Sequence, residues 1–221
     1  MANEDFKKVI RKNVEFIWPR LDQTYRYNSA EKKTEACSPS VQGAAWSIGW
    51  LMPVEDAKAL SAELKAHYQT CVSRNSKLPS FTKVFGAKKH TDKDGNETGM
   101  VQFTAERKAI ANNGAQRPEP TVVDNTGTPV ADRAIWGGSK GDIRVFAVPT
   151  NDPDGNGGIK LLLDAVVVRE AVYGGDSLAE DFDFDSGDAI DGDPLENHQP
   201  AQPKQTQSAD PAPAGADDYG F

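Results

Sequence analysis

The stretch Asp142-Ile143-Arg144-Val145-Phe146-Ala147-Val148, followed by Ile159-Lys160-Leu161-Leu162-Leu163-Asp164-Ala165-Val166-Val167-Val168-Arg169, decides the fold class. In the first segment polar and apolar residues alternate, which suits a half-buried strand with Ile143, Val145 and Ala147 turned to a core and Arg144 and Phe146 turned away. The second segment is mainly apolar, interrupted by Lys160 and Asp164. Between them Asn151-Asp152-Pro153-Asp154-Gly155-Asn156-Gly157-Gly158 is built from turn residues, so the two segments read as a hairpin.

The same signals recur upstream. Phe81–Lys89 and Met100–Lys108 read as strands joined by the polar turn Thr91-Asp92-Lys93-Asp94-Gly95-Asn96. Thr121–Val123 adds a short strand. Val14-Glu15-Phe16-Ile17-Trp18 is β-prone and expected to end, or to lie at an edge, at Pro19. Ala44–Met52 reads as a strand with Trp46, Ile48, Trp50 and Met52 on one face, and Trp18, Trp46 and Trp50 are assigned to the core. One segment breaks the pattern. From Val54 to Asn75 the apolar residues Ala57, Leu60, Leu64 and Tyr68 recur at helical spacing, with Pro53 before the start and Glu55 and Asp56 in the first turn. Short strands around a single long helix give a mainly β protein, a small barrel or sandwich.

Charge divides the chain. Residues 1–175 carry 24 Lys and Arg against 21 Asp and Glu, whereas residues 176–221 carry one Lys against 12 acidic residues. The second region alternates acids with aromatics in Asp181-Phe182-Asp183-Phe184-Asp185 and is rich in Pro, Ala, Gln and Ser from Pro200 onward. It is expected to remain unfolded, because it has too little apolar surface to offset a backbone entropy of about 1–2 kcal/mol per residue. The domain organisation read from this is a globular domain over 1–175 and a disordered acidic tail over 176–221.

Several classes of chemistry lack their residues. The histidines His67, His90 and His198 are scattered, and neither a Gly-x-Ser-x-Gly elbow nor a Walker loop occurs. Gly137-Gly138-Ser139-Lys140-Gly141 has the wrong spacing for a phosphate loop. Asp152-Pro153-Asp154-Gly155-Asn156-Gly157 matches half of a calcium loop, but Leu163 stands where a bidentate Glu belongs. Cys37 and Cys71 supply neither a disulfide framework nor a zinc site. The expectation is a protein that is not an enzyme, with no cofactor and no metal. Met1–Lys12 has no apolar signal region, and Ile159–Val168 is too short to span a bilayer, which points to the cytoplasm and away from membranes.

The positive signal is basic residues interleaved with aromatics. Arg20, Tyr25, Arg26 and Tyr27 crowd a first loop. Lys83, Phe85, Lys88 and Lys89 occur together, with Phe81, Lys83, Phe85 and Lys89 expected on one strand face, and Arg144 and Phe146 share another. Single-stranded nucleic acid calls for this pairing, since cations follow phosphates while aromatic faces stack on unpaired bases.

The chain resembles the single-stranded DNA-binding proteins of tailed bacteriophages, of the T7-like and related kinds. The resemblance lies in Trp136-Gly137-Gly138-Ser139-Lys140-Gly141-Asp142-Ile143-Arg144-Val145, the hairpin, the apolar strand Ile159–Val168, and an acidic C-terminus with a terminal aromatic. It covers about a quarter of the chain, and only Trp136, Lys140, Arg144 and Phe221 fall on matched positions; Gly220 interrupts the acidic run before Phe221. The resemblance implies a five-stranded OB-fold barrel with sequence-tolerant binding of single-stranded DNA. It further implies a tail, ending in Asp217, Asp218, Tyr219 and Phe221, that competes with DNA and recruits replication or recombination proteins. A homodimer is compatible with it. Two other readings were weighed: a phage structural or assembly protein whose acidic tail binds a basic partner without nucleic acid, and a metal-dependent nuclease.

Overall fold

The computed structural model describes residues 5–111, 113–131 and 133–173. The strands are β1 (Lys7–Asn28), β2 (Lys33–Cys37), β3 (Ala45–Pro53), β4 (Phe81–Val84), β5 (Lys88–Thr91), β6 (Glu97–Lys108), β7 (Thr121–Asp124), β8 (Lys140–Asn151) and β9 (Gly157–Glu170), with one helix, α1 (Val54–Arg74). Pairing β1 to β3, β3 to β6, β6 to β9, β9 to β8 and β8 back to β1 closes a five-stranded barrel. Its one parallel contact is Glu106 opposite Leu162. This is the OB-fold arrangement expected above, with β2, β4, β5 and β7 added at the edges. The acidic tail and the domain boundary at 175/176 lie outside the described residues.

The core follows the alternation of the strands. Ile143, Val145 and Ala147 of β8 face Leu161, Leu163 and Val166 of β9 inside the barrel, with Phe16, Ile48, Trp50 and Phe103 from the other strands. Trp50 stacks on Phe103 with ring centroids 5.7 Å apart. Helix α1 buries Ala57, Leu60, Leu64, Tyr68 and Cys71 against β3, β4, β6, β8 and β9, closing one mouth of the barrel. Its first turn carries Glu55 and Asp56 and its last Arg74, which suits the helix dipole.

Three turns share one device. In Asp92–Asn96 and Asp152–Asn156, which have the same Asp-x-Asp-Gly-Asn sequence, the first Asp accepts hydrogen bonds from the backbone N–H and side-chain amide of the Asn four residues on. Asp124 likewise accepts from the Thr126 and Thr128 N–H groups. The glycines Gly95, Gly127 and Gly155 supply φ of 86°, 85° and 81°. Hydrogen bonding from Asn96, Thr126 and Asn156, respectively, is the first cause holding the three carboxyls below their ordinary pKa.

Three local expectations are corrected. First, the strand expected to end, or to lie at an edge, at Pro19 runs through it to Asn28 as part of a 22-residue strand. It does so by bulging: Asn13 and Trp18 adopt φ of 51° and 45°, and the ladder to β3 skips from Ile17 to Arg20. Pro19 falls in that skip, so its missing N–H interrupts no pair. Second, the polar first loop is a hairpin, with Thr24–Asn28 of β1 paired to Lys33–Cys37 of β2. Third, Phe81–Lys89 is two strands, not one. β4 runs parallel to β9 and β5 antiparallel to β6, and the chain turns at Gly86, where an added Cβ would lie 2.9 Å from the Thr104 carbonyl oxygen.

Candidate nucleic-acid interface

The first bulge of interest reorients a tryptophan. Val14 and Phe16 point into the core, and strict alternation would send Trp18 after them; its left-handed backbone turns the indole out instead, leaving it 59% exposed. Trp18 therefore leaves the core, contrary to its assignment, whereas Trp46 and Trp50 are buried as expected. Sequence reasoning missed it, although Pro19 was the available sign that the ladder is interrupted there.

A second tryptophan is held beside the first. The Phe16 N–H donates to the Ser139 carbonyl at 2.7 Å, and the Gly138 N–H donates to the Phe16 carbonyl at 2.9 Å. The Trp136 N–H donates to the Val172 carbonyl at 2.7 Å. The fully buried Ser139 hydroxyl donates to the Trp136 carbonyl and accepts from the Val172 N–H, both at 2.8 Å. Gly138 turns the chain with φ of 89°, and at Gly141 a Cβ would meet the Val167 carbonyl oxygen at 2.0 Å. The Gly-Gly-Ser-Lys-Gly segment is thus a tight backbone fastening between β1 and β8. It leaves the Trp136 side chain 54% exposed, and Trp18, Tyr25 and Trp136 line a common cleft of about 370 Å³.

The cleft's lining includes Asp22, and two cations lie over its aromatic rings. The Lys88 ammonium lies 5.7 Å from the centroid of the Trp18 ring, and the Arg20 guanidinium lies 5.6 Å from that of Tyr25. Since β3 and β6 both lie between β1 and β5 in the strand order, the Lys88 contact reaches across the two of them. The Tyr25 hydroxyl donates to Asp22 and accepts from Gln23, and burial is the main cause raising its pKa. Tyr27, 63% exposed, and Arg26 extend the surface along the β1–β2 hairpin.

The remaining predicted residues separate into other groups. Lys83 lies 4.9 Å from the Phe85 ring centroid and pairs with Asp152 at 3.1 Å, beside the β8–β9 turn. Phe85, Thr104, Lys108 and Lys160 border a neighbouring cleft of about 480 Å³. Lys89 pairs with Glu97 and Lys140 with Glu170. Arg144 is held by Asp164, and Phe146 meets Phe6 edge-on, both on the β1–β8 outer face and not beside the tryptophans. Asp217, Asp218, Tyr219 and Phe221 lie outside the described residues. Among the described residues no group of His, Cys, Asp and Glu is placed to hold a metal ion, and no helix is long and apolar enough to cross a membrane.

No family model matches the chain, and no curated protein matches it. Solved structures do. The single-stranded DNA-binding protein from bacteriophage Enc34, in a C-terminally truncated form, superposes with a TM-score of 0.52 at 14% identity, covering 77% of this chain and 92% of that one. The same phage protein in complex with single-stranded DNA gives 0.52 at 15% identity over 77% and 93%, and a further structure of it 0.51 at 16% over 86% and 96%. The barrel shares their fold. In OB-folds the faces of the second and third barrel strands, with the loops joining strands one to two and four to five, take oligonucleotides. Here those are β3, β6, the β1–β2 hairpin and the Asp152–Asn156 turn, and the two clefts described above border them.

Proposed function

We propose that this chain is a sequence-tolerant single-stranded DNA-binding protein that coats and protects DNA during replication, recombination or repair. The carrying observation is the pair of exposed indoles, Trp18 and Trp136, lining a single cleft beside Arg20, Tyr25, Lys88 and the Arg26–Tyr27 hairpin. Unpaired bases stack on the indoles and tyrosines while the cations follow the phosphates. Lys83, Phe85 and Lys89 extend the path towards the β8–β9 turn, and Lys140 flanks it. The similarity to a phage protein solved with single-stranded DNA supports the reading. In this proposal residues 1–175 form the binding domain. The acidic segment 176–221 competes with DNA, and its tip, through Asp217, Asp218, Tyr219 and Phe221, recruits replication partners.

Intrinsic fluorescence tests the reading. Trp46 and Trp50 are buried, so oligo-dT binding should quench the emission of Trp18 and Trp136. The quench should disappear in W18F/W136F. Anisotropy should show affinity falling with log[salt] at a slope of about −0.7 per phosphate contacted, and removal of 176–221 should tighten binding at low salt. Absence of salt-dependent binding by either form would overturn the proposal and favour an assembly protein that ignores nucleic acid.

A further inference from the structure

The N-terminal half of β1 carries a second basic and aromatic surface that the Trp18–Trp136 cleft does not include. Inward-facing Lys7 and Arg11 share one carboxylate of α1, both pairing with Glu63 at 3.0 and 3.1 Å. Hydrogen bonding from Lys7 is the first cause of the lowered Glu63 pKa. The outward residues differ. Register places Lys8 opposite Phe146 and Ile10 opposite Arg144, so these four share the outer face. Phe6 meets Phe146 edge-on at 6.4 Å between centroids, with Phe6 37% and Ile10 44% exposed. Among the described residues Lys8 has no salt bridge, whereas Lys12 interacts electrostatically with Asp142 and helps to hold its carboxyl below the ordinary pKa. Asp164 holds Arg144 through Nε, fixing the guanidinium against the sheet.

We infer that this outer face of β1 and β8 is a second contact surface for single-stranded DNA. The inference rests on the function proposed above and extends it to a second part of the molecule. Three features select nucleic acid over protein. Lys8, which has no salt bridge among the described residues, borders the patch, and lysine is depleted from the cores of protein–protein interfaces. Aromatic and cationic residues alternate across the strand pair, as stacking and phosphate contacts require. An anionic chain also compensates the charge of Lys8, which a second copy bearing the same lysine would not. Lys8 and Trp18 are ten residues apart on β1, at most about 33 Å of extended strand, with the Asn13 bulge and the change of partner from β8 to β3 between them. One chain could thus hold two strands, or two segments of one strand, around the barrel.

Titration of the full-length protein with a short fluorescent oligo-dT at low salt decides the matter. Two equivalents per chain are expected: a first step that quenches tryptophan and a weaker second step that does not. Lys8→Glu/Lys12→Glu, at exposed positions, should remove the second step and leave the first within twofold. Phe146→Ala should weaken the second step at least fivefold, and W18A/W136A should remove the first while sparing the second. Saturation of the wild type at one equivalent, or a second step untouched by the lysine reversals, would overturn the inference. So would a fall in sedimentation coefficient with K8E/K12E or F146A, which would make this face a contact between two copies. If no oligonucleotide binds at all, the proposed function itself fails. If only the first step is found, the function stands and the second surface does not.

Discussion

Truncating the two exposed indoles should reveal how binding energy is divided between stacking and charge. A base stacked on an aromatic ring contributes about 1–3 kcal/mol by alanine substitution, so Trp18→Ala and Trp136→Ala should each weaken oligo-dT binding by about 5- to 150-fold. The side chains are 59% and 54% exposed, so comparable losses are expected. Because they line one cleft, the double variant should depart from additivity, with a coupling of about 0.5–3 kcal/mol. Charge has a different signature. Neither indole releases a counterion, so both variants should shift the plot of log K against log[salt] without changing its slope. Arg26→Ala should instead reduce the slope by about 0.7, one phosphate contact. Lys88→Ala combines the two effects, because its ammonium lies over the Trp18 ring. Anisotropy at four or five salt concentrations separates these outcomes. Indole variants that bind within twofold of wild type, or that alter the slope while leaving low-salt affinity intact, would refute the stacking argument.

Three further substitutions test the scaffold under the cleft. Gly141→Ala places a Cβ 2.0 Å from the Val167 carbonyl oxygen and 2.7 Å from Phe16 Cζ. It should cost about 3 kcal/mol and lower Tm by about 6–12 °C in a thermal melt; an unchanged Tm would refute the close approach. Ser139→Ala leaves the Val172 N–H without its buried partner, while the Trp136 carbonyl keeps the Ser139 N–H at 3.3 Å, and should cost about 1–3 kcal/mol in a denaturant titration, with a parallel loss of oligo-dT affinity. Asp142 accepts two hydrogen bonds from Arg169, the first cause of its lowered pKa, and one from the Asn13 N–H. A depressed folded pKa contributes stability that is present above the unfolded value and lost as pH falls through the folded one. Asp142→Asn should therefore cost about 1 kcal/mol at pH 7, allowing for the half-exposed Arg169, and the gap from wild type should close as pH falls below about 4; a gap that persists in acid would refute the linkage.

What could be read in the sequence was local. Ala57, Leu60, Leu64 and Tyr68 announce the buried face of α1, because a helix repeats every 3.6 residues whatever it packs against. The β8–β9 hairpin is legible in the alternation of Ile143, Val145 and Ala147 and in the Asp-x-Asp-Gly-Asn turn. The rest depends on partners distant in the chain. The tendency of large aromatics to be buried assigns Trp18 to the core, and the skip in pairing with β3 reverses it. Lys83 and Lys89 were set on one face because nothing in Phe81–Lys89 shows that its halves join different strands; Gly86, pressed against Thr104, was the one local mark of the break. Cation clusters were legible as composition but not as free charge. Asp152, Asp164 and Glu170, which hold Lys83, Arg144 and Lys140, come from the β8–β9 turn and from β9 itself.

The proposed interface is a product of how β1 is fitted into the barrel. β1 pairs with β8 along its first half and with β3 along its second, the two ladders overlapping at Glu15, and the left-handed residues Asn13 and Trp18 sit at the breaks in the first and second ladder respectively. Such residues carry strain of about 1–3 kcal/mol each and persist only where their surroundings over-determine them. Here the surroundings are the Phe16–Ser139 and Gly138–Phe16 backbone hydrogen bonds and the buried Ser139 hydroxyl, which fasten the Trp136 turn to β1 beside the second bulge. The interactions that close the barrel between β1 and β8 are therefore the ones that set two indoles facing solvent in a single cleft. A platform built this way needs little ordering when a base arrives, because its rings are positioned by buried backbone bonds and not by loop conformations. The cations around it sit on β1, its hairpin with β2, and β5, and are drawn to phosphates wherever the chain of bases runs. In the proposed interface sequence tolerance would follow from that division, because every base offers a π-face and every nucleotide a phosphate.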